Sequence, residues 1–254
     1  GETISFEETD VLGGDAAALP DASVPVRVVL ESETLLVVDK PAGQPCAPLR
    51  AGEKGTLANG LLARYPELGG IGYSAREPGL VHRLDTDTSG LVLVARNANA
   101  FESLRDALQA SVLEKSYLLV CEGENLADEG EIQYPIANHP KDQKRVLVCI
   151  HPRDVMRNAP RPALTRYSVE KRTERFALVR AHAPKALRHQ IRAHFAALGA
   201  PLAGDVLYGG PEVEGLTRHA LHAATLSLSR KNEPEYNFSA ESELPEELAK
   251  LVSI

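Results

Sequence analysis

A dense polar segment separates two apolar runs in the first half of the chain. In GLVHRLDTDTSGLVLVAR, residues 79–96, Asp85 and Asp87 stand among two threonines and a serine. Three chemistries use such a segment: a calcium-binding loop, an aspartate that accepts a phosphoryl group, and a carboxylate that acts on a sugar carbon. The neighbouring residues discriminate between them.

The calcium interpretation fails at the last ligand. Asp85, Asp87, Ser89 and Gly90 match the opening positions of an EF-hand loop. The final position of that loop must be a bidentate glutamate, and here it is Arg96. A cation at that place excludes this type of calcium site.

The phosphoryl-transfer interpretation is weakened by what surrounds the aspartates. The Asp-Thr-Asp order of residues 85–87 is similar to the nucleophile loop of the haloacid-dehalogenase phosphatases. That loop follows a continuous apolar strand, whereas His82 and Arg83 interrupt the strand here. No paired downstream acids stand out as magnesium ligands, so an Asp-dependent phosphatase stays the less favoured alternative.

The third interpretation, a carboxylate that acts on a sugar carbon, gives the basic residues near Asp85 a role. An ionised carboxylate can attack, or electrostatically stabilise, an anomeric carbon whose bond to its leaving group is breaking. In a dry pocket such a carboxylate stays ionised only beside a cation. If Asp85 has this role it needs a nearby guanidinium, and Arg83 and Arg192 are the candidates.

Four motifs in a fixed order make the third interpretation specific. HRLDTDTSGLVLVAR, residues 82–96, resembles the catalytic signature of the RluA-type RNA pseudouridine synthases, which reads His-Arg-Leu-Asp-x-x-Thr-Ser-Gly before an apolar strand. The segments VVDKPAG (37–43), KSYLLVCEG (115–123) and RHQIRAHFAALGAPLAGDVLYGG (188–210) resemble that family's other motifs in the same order. The resemblance covers residues 24–229, which is most of the chain.

The resemblance implies a fold and a domain layout. We expect an α+β fold with a mixed, largely antiparallel central sheet, flanked by helices and carrying a central active-site cleft. Residues 1–24 are expected to form an irregular acidic N-terminal extension, and residues 25–254 the catalytic domain, with no S4 RNA-binding domain.

The resemblance also implies roles for three catalytic residues. Asp85 would act at C1′ of a target uridine or promote loss of a proton from C2′. Tyr117 would place its ring behind the uracil, with a hydroxyl that helps to remove the C5 proton. Arg192 would pair with Asp85 and keep it charged, while Ile191 and Lys115 would line the pocket. No cofactor or metal is implied.

Three further basic residues are implied in RNA binding. Arg83 resembles the arginine that enters the RNA and takes the place of the extruded nucleotide. Family members commonly carry Thr-Gly-Arg before the His-Gln-Ile-Arg helix, whereas Lys185-Ala-Leu-Arg188 precedes it here. The glycine is missing and the basic residue is displaced, so Lys185 or Arg188 would replace that contact.

Apolar periodicity predicts the elements that position these residues. Short runs rich in Val and Leu indicate strands, and apolar residues at helical spacing, with Asn97 and Gly199 as end signals, indicate helices. The predicted strands span residues 24–30, 34–40, 91–95, 115–121, 145–150, 163–170, 176–182 and 219–228. The predicted helices cover residues 56–66, a segment after Asn97, residues 189–199 and residues 245–252.

Composition limits the possible environments of the chain. Its 254 residues are 43% hydrophobic and 25% charged, as in ordinary globular proteins. Cys46, Cys121 and Cys149 lie in no metal-ligand or disulfide spacing, which predicts reduced, buried thiols. No membrane-spanning run or signal peptide is recognisable in the sequence, so we expect a cytoplasmic location and no membrane partner.

The charge is distributed unevenly along the chain. The net charge is −7, but residues 139–194 hold 14 Lys and Arg against 4 Asp and Glu, which leaves −17 on the other residues. Charge runs are often only solvated faces. Because this one includes the motif with Arg192, we expect it to surround the cleft.

These observations predict an RNA pseudouridine synthase, an isomerase that acts on structured ribosomal or transfer RNA. The expected partner is that RNA, with no protein partner, and the expected state is a monomer. The alternative from another class is an RNA-binding or assembly factor without catalytic activity.

Overall fold

The computed structural model describes residues 17–253 and contains eleven strands and five α-helices within that range. Of the predicted N-terminal extension, residues 1–16 lie outside the described residues, and residues 17–24 contain no helix or strand. The strands are β1 (Arg27–Glu31), β2 (Leu35–Lys40), β3 (Ser89–Ala95), β4 (Glu114–Glu122), β5 (Glu129–Ile132), β6 (Ile136–Asn138), β7 (Val146–Val148), β8 (Thr165–Arg172), β9 (Phe176–His182), β10 (Leu221–Leu228) and β11 (Phe238–Glu241).

The α-helices are short and connect the strands at both faces of the sheet. They are α1 (Leu57–Arg64), α2 (Ala98–Gln109), α3 (Pro152–Asn158), α4 (Gln190–Ala197) and α5 (Glu246–Ala249). Helical turns of the 3₁₀ type occupy Pro66–Leu68, Val206–Tyr208, Pro234–Tyr236 and Lys250–Val252. Among residues 17–253, no helix combines the length and apolar character that crossing a bilayer requires.

One large sheet organises the molecule. Its strand order is β1-β2-β3-β10-β4-β9-β8-β5, with β11 paired to the far half of β10. The β3–β10 pair is parallel and every other pair in this sheet is antiparallel. The predicted α+β fold with a mixed, largely antiparallel sheet is confirmed.

Helices cover both faces of the β2–β3 half. Alternate side chains of each strand point to opposite faces, and both faces are apolar. Leu36 and Val38 point into one core with α1, and Leu35 and Val37 point into another core with α2. All of β3 is therefore buried, as its continuous apolar sequence predicts. Asn97 caps α2 as expected, since its side chain accepts a hydrogen bond from the Ala100 amide at 2.9 Å.

The β4–β9 half has its own core, formed with α4. Tyr117, Leu119, Val179 and Phe195 meet in it. Leu84 packs against this core and also against the α1 core. The loop that contains Leu84 therefore crosses between the two halves of the molecule, which is where the predicted cleft lies.

Residues 134–164, here called the arm, leave the sheet after β5 and return to it at β8. They contain β6 and β7, paired as a separate two-stranded sheet, and then α3. Strand β7 is shorter than the predicted strand over residues 145–150. Helix α3 was not predicted, because none of its side chains is buried and it has no apolar face toward a core.

Candidate active site

A cleft of about 580 Å³ opens between the two halves. Pro45 and Cys46 line it from the α1 side, and residues 185–192 line it from the α4 side. Asp85 and Tyr117 lie between these walls. Asp85 and Arg192 also line an adjoining cavity of about 400 Å³, so the carboxylate is accessible from two directions.

Asp85 is held by a guanidinium that is itself held by a second carboxylate. Arg192 Nη1 lies 3.2 Å from Asp85 Oδ2. The Nε and Nη2 groups of Arg192 donate to the two oxygens of Asp205 at 2.7 and 2.8 Å. A two-pronged contact of this kind fixes the plane of the guanidinium. The nitrogen that remains is directed at Asp85.

Burial makes this triad a tightly constrained unit. The side chains of Arg192 and Asp205 are 7% and 1% exposed. Although burial lowers the pKa of Arg192, the hydrogen bonds and charges of Asp205 and Asp85 outweigh it and raise that pKa above its ordinary value. The Asp85 side chain is 24% exposed because it faces the cleft. It is therefore more accessible to water than the dry pocket considered from the sequence would allow.

His189 approaches Asp85 from the start of α4. Its Nε2 lies 3.7 Å from Asp85 Oδ2, and its Nδ1 lies 3.0 Å from Tyr208 Oη. Its backbone is left-handed, with φ 53°, which is uncommon for a residue other than glycine. Burial lowers the pKa of His189, an effect that the Asp85 charge only partly offsets, so the ring is neutral at neutral pH.

The aspartate loop, residues 83–88, is anchored through its backbone by two buried cations. Lys40 Nζ donates to Thr86 O at 2.9 Å and also to the carbonyls of Pro41 and Gln44. Arg218 Nη1 donates to Asp87 O at 3.2 Å. Burial lowers the pKa of Lys40 to about 8. Bonds from both sides of the loop fix the position of Asp85 between them.

Two histidines continue this anchoring into β3. His219 shares a hydrogen bond of 2.8 Å with the Thr88 hydroxyl, and His222 shares one of 2.9 Å with the Ser89 hydroxyl. Gly90 follows with φ 112°, where a side chain would collide with the Ala223 backbone of β10. The hydroxyls and the glycine therefore shape the loop.

Tyr117 is placed in the cleft by the central strand β4. Burial, and secondarily the charge of Asp85, raises the pKa of its hydroxyl well above the ordinary value. The hydroxyl is therefore protonated at neutral pH. Lys115 and Ile191 line the same cleft as expected, and burial lowers the pKa of Lys115 to about 8.

The three basic residues predicted to bind RNA all line the cleft. Arg83 is exposed and its Nη1 lies 2.6 Å from Glu77 Oε1, so it pairs with Glu77 and not with Asp85. Lys185 and Arg188 are exposed on the opposite wall, and Arg188 Nη2 donates to Gln143 O at 2.8 Å. The choice left open by the sequence, Arg83 or Arg192 beside Asp85, is decided for Arg192.

His82 is a structural residue. Its Nε2 accepts a hydrogen bond from the Leu93 amide at 3.2 Å. Burial lowers the pKa of His82 to about 3, which keeps the ring neutral and able to accept.

Sequence reasoning missed several residues that build the site. Asp205 and Tyr208 lie in the Gly-Asp-x-x-Tyr-Gly turn, which was recognised as a motif without a role for its members. The turn packs on α4, and the Tyr208 hydroxyl accepts a hydrogen bond from the Val146 amide at 2.8 Å. Lys40 lies in the recognised segment 37–43 but was given no role, and Arg218 gave no signal, because nothing in a sequence distinguishes a buried cation from an exposed one.

The sequence pattern of a known family covers this arrangement. The family model of RNA pseudouridylate synthase matches residues 34–197, which include β2, the aspartate loop, Tyr117 and Arg192. The chain belongs to the RluA-type RNA pseudouridine synthases. As a member of this family it is an enzyme, and it isomerises uridine to pseudouridine in RNA.

Relatives extend the likeness over nearly the whole chain. An RNA pseudouridine synthase named YlyB from Bacillus subtilis is 36% identical over 98% of this chain and 78% of its own length. The ribosomal large subunit pseudouridine synthase D of Xanthomonas campestris is 35% identical over 100% of this chain and 75% of its own length.

Solved structures support the fold. The human RNA pseudouridylate synthase domain containing 1 superposes with a TM-score of 0.66, at 24% identity, over 92% of this chain and 95% of its own. The human domain containing 4 has the same TM-score at 20% identity and covers 88% of this chain and 90% of its own. The predicted pseudouridine-synthase-like fold is confirmed.

Proposed function

We propose that this synthase modifies uridines in structured ribosomal RNA and that the Asp85 carboxylate is its catalytic group. One observation carries the proposal: Asp85 faces the cleft while Arg192, fixed by Asp205, donates to it at 3.2 Å. Several relatives are named ribosomal large subunit pseudouridine synthase D, which favours ribosomal over transfer RNA.

The isomerisation requires one bond to break and another to form at the same sugar carbon. The C1′–N1 bond of the target uridine breaks, the uracil turns within the pocket, and a C1′–C5 bond forms. The proton on C5 leaves and N1 gains one, so no net redox change occurs. Asp85 acts either by attack at C1′ or by taking a proton from C2′. Both routes need an ionised carboxylate at a fixed position.

Arg192 and Asp205 make that carboxylate available. A carboxylate in a partly buried site tends to gain a proton, and an adjacent guanidinium opposes this. If Arg192 were free to rotate, its guanidinium would also interact with solvent and other partners, and it would stabilise the ionised Asp85 less. The bidentate Asp205 contact removes that freedom, so Arg192 is the electrostatic partner and Asp205 its positioning residue.

Tyr117 contributes mainly as a wall for the uracil ring. Its raised pKa keeps the phenol protonated at neutral pH, so a phenolate base is disfavoured. The hydroxyl can accept the C5 proton only if its own proton passes to another group. Asp85, whose charge contributes to the raised pKa, is the anionic neighbour available for that transfer.

The exposed cations at the cleft contact RNA. Flipping a nucleotide out of a structured RNA costs a few kcal/mol, and a planar guanidinium can fill the gap. Arg83 has the exposure for this role once it leaves Glu77. Lys185 and Arg188 on the opposite wall neutralise phosphates. A cytoplasmic location and a monomeric state stay predictions.

The test replaces Asp85 by Asn and measures tritium release from RNA that contains uridine labelled at C5. We expect release to fall below detection while the dissociation constant for the RNA changes by less than threefold. Asp87→Asn, an exposed carboxylate in the same loop, is the matched control and should retain activity.

Three outcomes would contradict the proposal. Wild-type turnover in Asp85→Asn would remove Asp85 from catalysis. A wild-type protein that binds RNA but releases no tritium from any RNA would favour the inactive binding factor instead. Activity that disappears with EDTA would point to a metal requirement that the proposed mechanism does not contain. Mapping of pseudouridine in ribosomal and transfer RNA, from cells with and without the gene, identifies the substrate.

A further inference from the structure

The arm carries an excess of positive charge. Residues 134–164 contain six Lys and Arg but only two Asp, in a chain whose net charge is −7. Among the described residues, the ion pairs include none of the arm's six cations. These cations are Lys141, Lys144, Arg145, Arg153, Arg157 and Arg161.

The neighbouring strands differ in this respect. On β8 and β9, Arg166 pairs with Glu131, Arg172 with Asp128, and Arg180 with Glu170. The positive excess seen in the sequence over residues 139–194 is therefore concentrated on the arm and the edge of the cleft. A free cationic surface of this kind attracts a polyanion.

Helix α3 adds exposed apolar groups to this charge. Met156 is 81% exposed, and Val155 and Ile150 are also exposed. Arg153 and Arg157 stand on the same short helix, and none of its side chains is buried. Unstacked bases in RNA stack on guanidinium planes and pack against apolar side chains, while nearby cations meet the phosphates. The chemistry of α3 fits that ligand.

The arm is continuous with the active site. Gln143 accepts a hydrogen bond from Arg188, which lines the cleft. The Arg145 guanidinium lies 5.4 Å from the ring centre of Tyr208, and the Arg192 guanidinium lies 5.2 Å from the same ring. An RNA strand that leaves the cleft on the Arg188 side therefore meets the arm.

We propose that residues 134–164 form a second RNA-binding surface, which holds a part of the substrate RNA outside the cleft through its phosphates and unpaired bases. The proposal rests on the proposed function, because the occupant is the RNA that the cleft acts on. It adds that the region of RNA beside the target nucleotide is recognised by this surface.

Photo-crosslinking tests the contact directly. A benzophenone amino acid in place of Met156, in the full chain, is irradiated with radiolabelled, deproteinised ribosomal RNA. The matched control carries the same group in place of Val29, which is 39% exposed on β1 at the opposite end of the sheet. We expect RNA adducts at position 156 at least fivefold above those at position 29.

Salt dependence tests the charge. Arg153→Gln with Arg157→Gln removes two phosphate contacts, so the slope of log Kd against log salt should fall by about 1.5. The control pair, Arg27→Gln with Arg64→Gln, removes two charges near the β1 edge. It should leave the slope within about 0.3 of wild type, which is about a third of the contribution of one phosphate contact.

The outcomes separate this proposal from the function of Asp85. Equal crosslinking at positions 156 and 29, or equal slopes for the two double variants, would overturn the RNA-binding surface. Crosslinks from position 156 to a protein of ribosomal particles, with none to deproteinised RNA, would overturn it as well. In each case Asp85-dependent tritium release remains a separate measurement, so failure here leaves the catalytic assignment intact.

Discussion

The aspartate loop and the arm flank the same cleft, but they are built in opposite ways. The loop is bonded to Lys40, Arg192, Arg218 and His219, which come from distant parts of the chain. The strands β6 and β7 of the arm pack against α4 and Tyr208, but α3 has no buried side chain. A reaction at one sugar carbon needs a carboxylate fixed within a fraction of an ångström, whereas recognition of a deformable RNA benefits from exposed groups that can adapt. The predictions below test this contrast, beginning with the largest expected effect.

After Asp85→Asn, which should abolish activity, Asp205→Asn should have the largest effect. The change leaves Arg192 with one charged partner and frees its guanidinium to turn, so we expect kcat to fall by about 100-fold to 1,000-fold, measured as tritium release at saturating RNA. The control is Asp128→Asn, which breaks the exposed Arg172–Asp128 pair and should change kcat by less than twofold. Equal kcat values for the two variants would remove the positioning role of Asp205.

The two buried lysines should respond in opposite directions. Lys40→Met orphans three carbonyls, which should lower the free energy of unfolding by about 2 kcal/mol. The Lys115 ammonium makes no hydrogen bond within the described residues, and burial lowers its pKa to about 8. Lys115→Met should therefore raise the free energy of unfolding by about 1 kcal/mol.

Urea unfolding at pH 7 measures both lysine variants. A loss of stability in Lys115→Met as large as that in Lys40→Met would contradict the distinction between a bonded and an unbonded buried lysine. The activity of Lys40→Met should fall together with its stability, because the same bonds position the aspartate loop.

Stability should decrease as the pH falls below about 6.5. Burial lowers the pKa of His219 to about 2 and that of His82 to about 3. Between those values and the ordinary histidine value, the unfolded chain binds more protons than the folded one. Each such histidine should therefore remove up to about 1.4 kcal/mol per pH unit, measured by urea unfolding from pH 7 to pH 5. In His219→Gln the slope should be smaller, and a slope equal to wild type would show that His219 is not held neutral.

The arm should give the smallest effect on stability. Met156→Ser and Arg157→Gln alter exposed side chains, so each should change the free energy of unfolding by no more than about 0.5 kcal/mol. A larger loss would mean that α3 packs on the protein, and the contrast between the two regions would be weakened.

Much of the fold followed from residue patterns in the sequence. The strand Phe176–His182 has the predicted bounds, and Gly199 takes the left-handed position expected after α4, with φ 82°. Strand β5 was missed because Glu129–Ile132 is mostly polar, and β11 because it has only four residues. Apolar periodicity cannot identify elements that bury so few side chains.

The site was predictable where a motif specified a pair. Asp85 and Arg192 meet although they are 107 positions apart, as the resemblance implied. Asp205, the other carboxylate that binds Arg192, was not assigned a role, because its contact depends on how a turn packs against α4. The catalytic roles of Asp85, Arg192 and Tyr117 stay predictions. The RNA-binding roles of Arg83, Lys185 and Arg188 stay predictions as well.

The parallel pairing of β3 with β10 has a consequence for how the molecule is made. The Ser89 hydroxyl bonds to His222, 133 positions further along the chain, and Arg218 reaches Glu247 at 2.8 Å. A nascent chain on the ribosome cannot close contacts to segments that have not yet been synthesised. The aspartate loop therefore takes its working shape only after the chain has been synthesised as far as Glu247, and products that terminate before that residue lack an organised site.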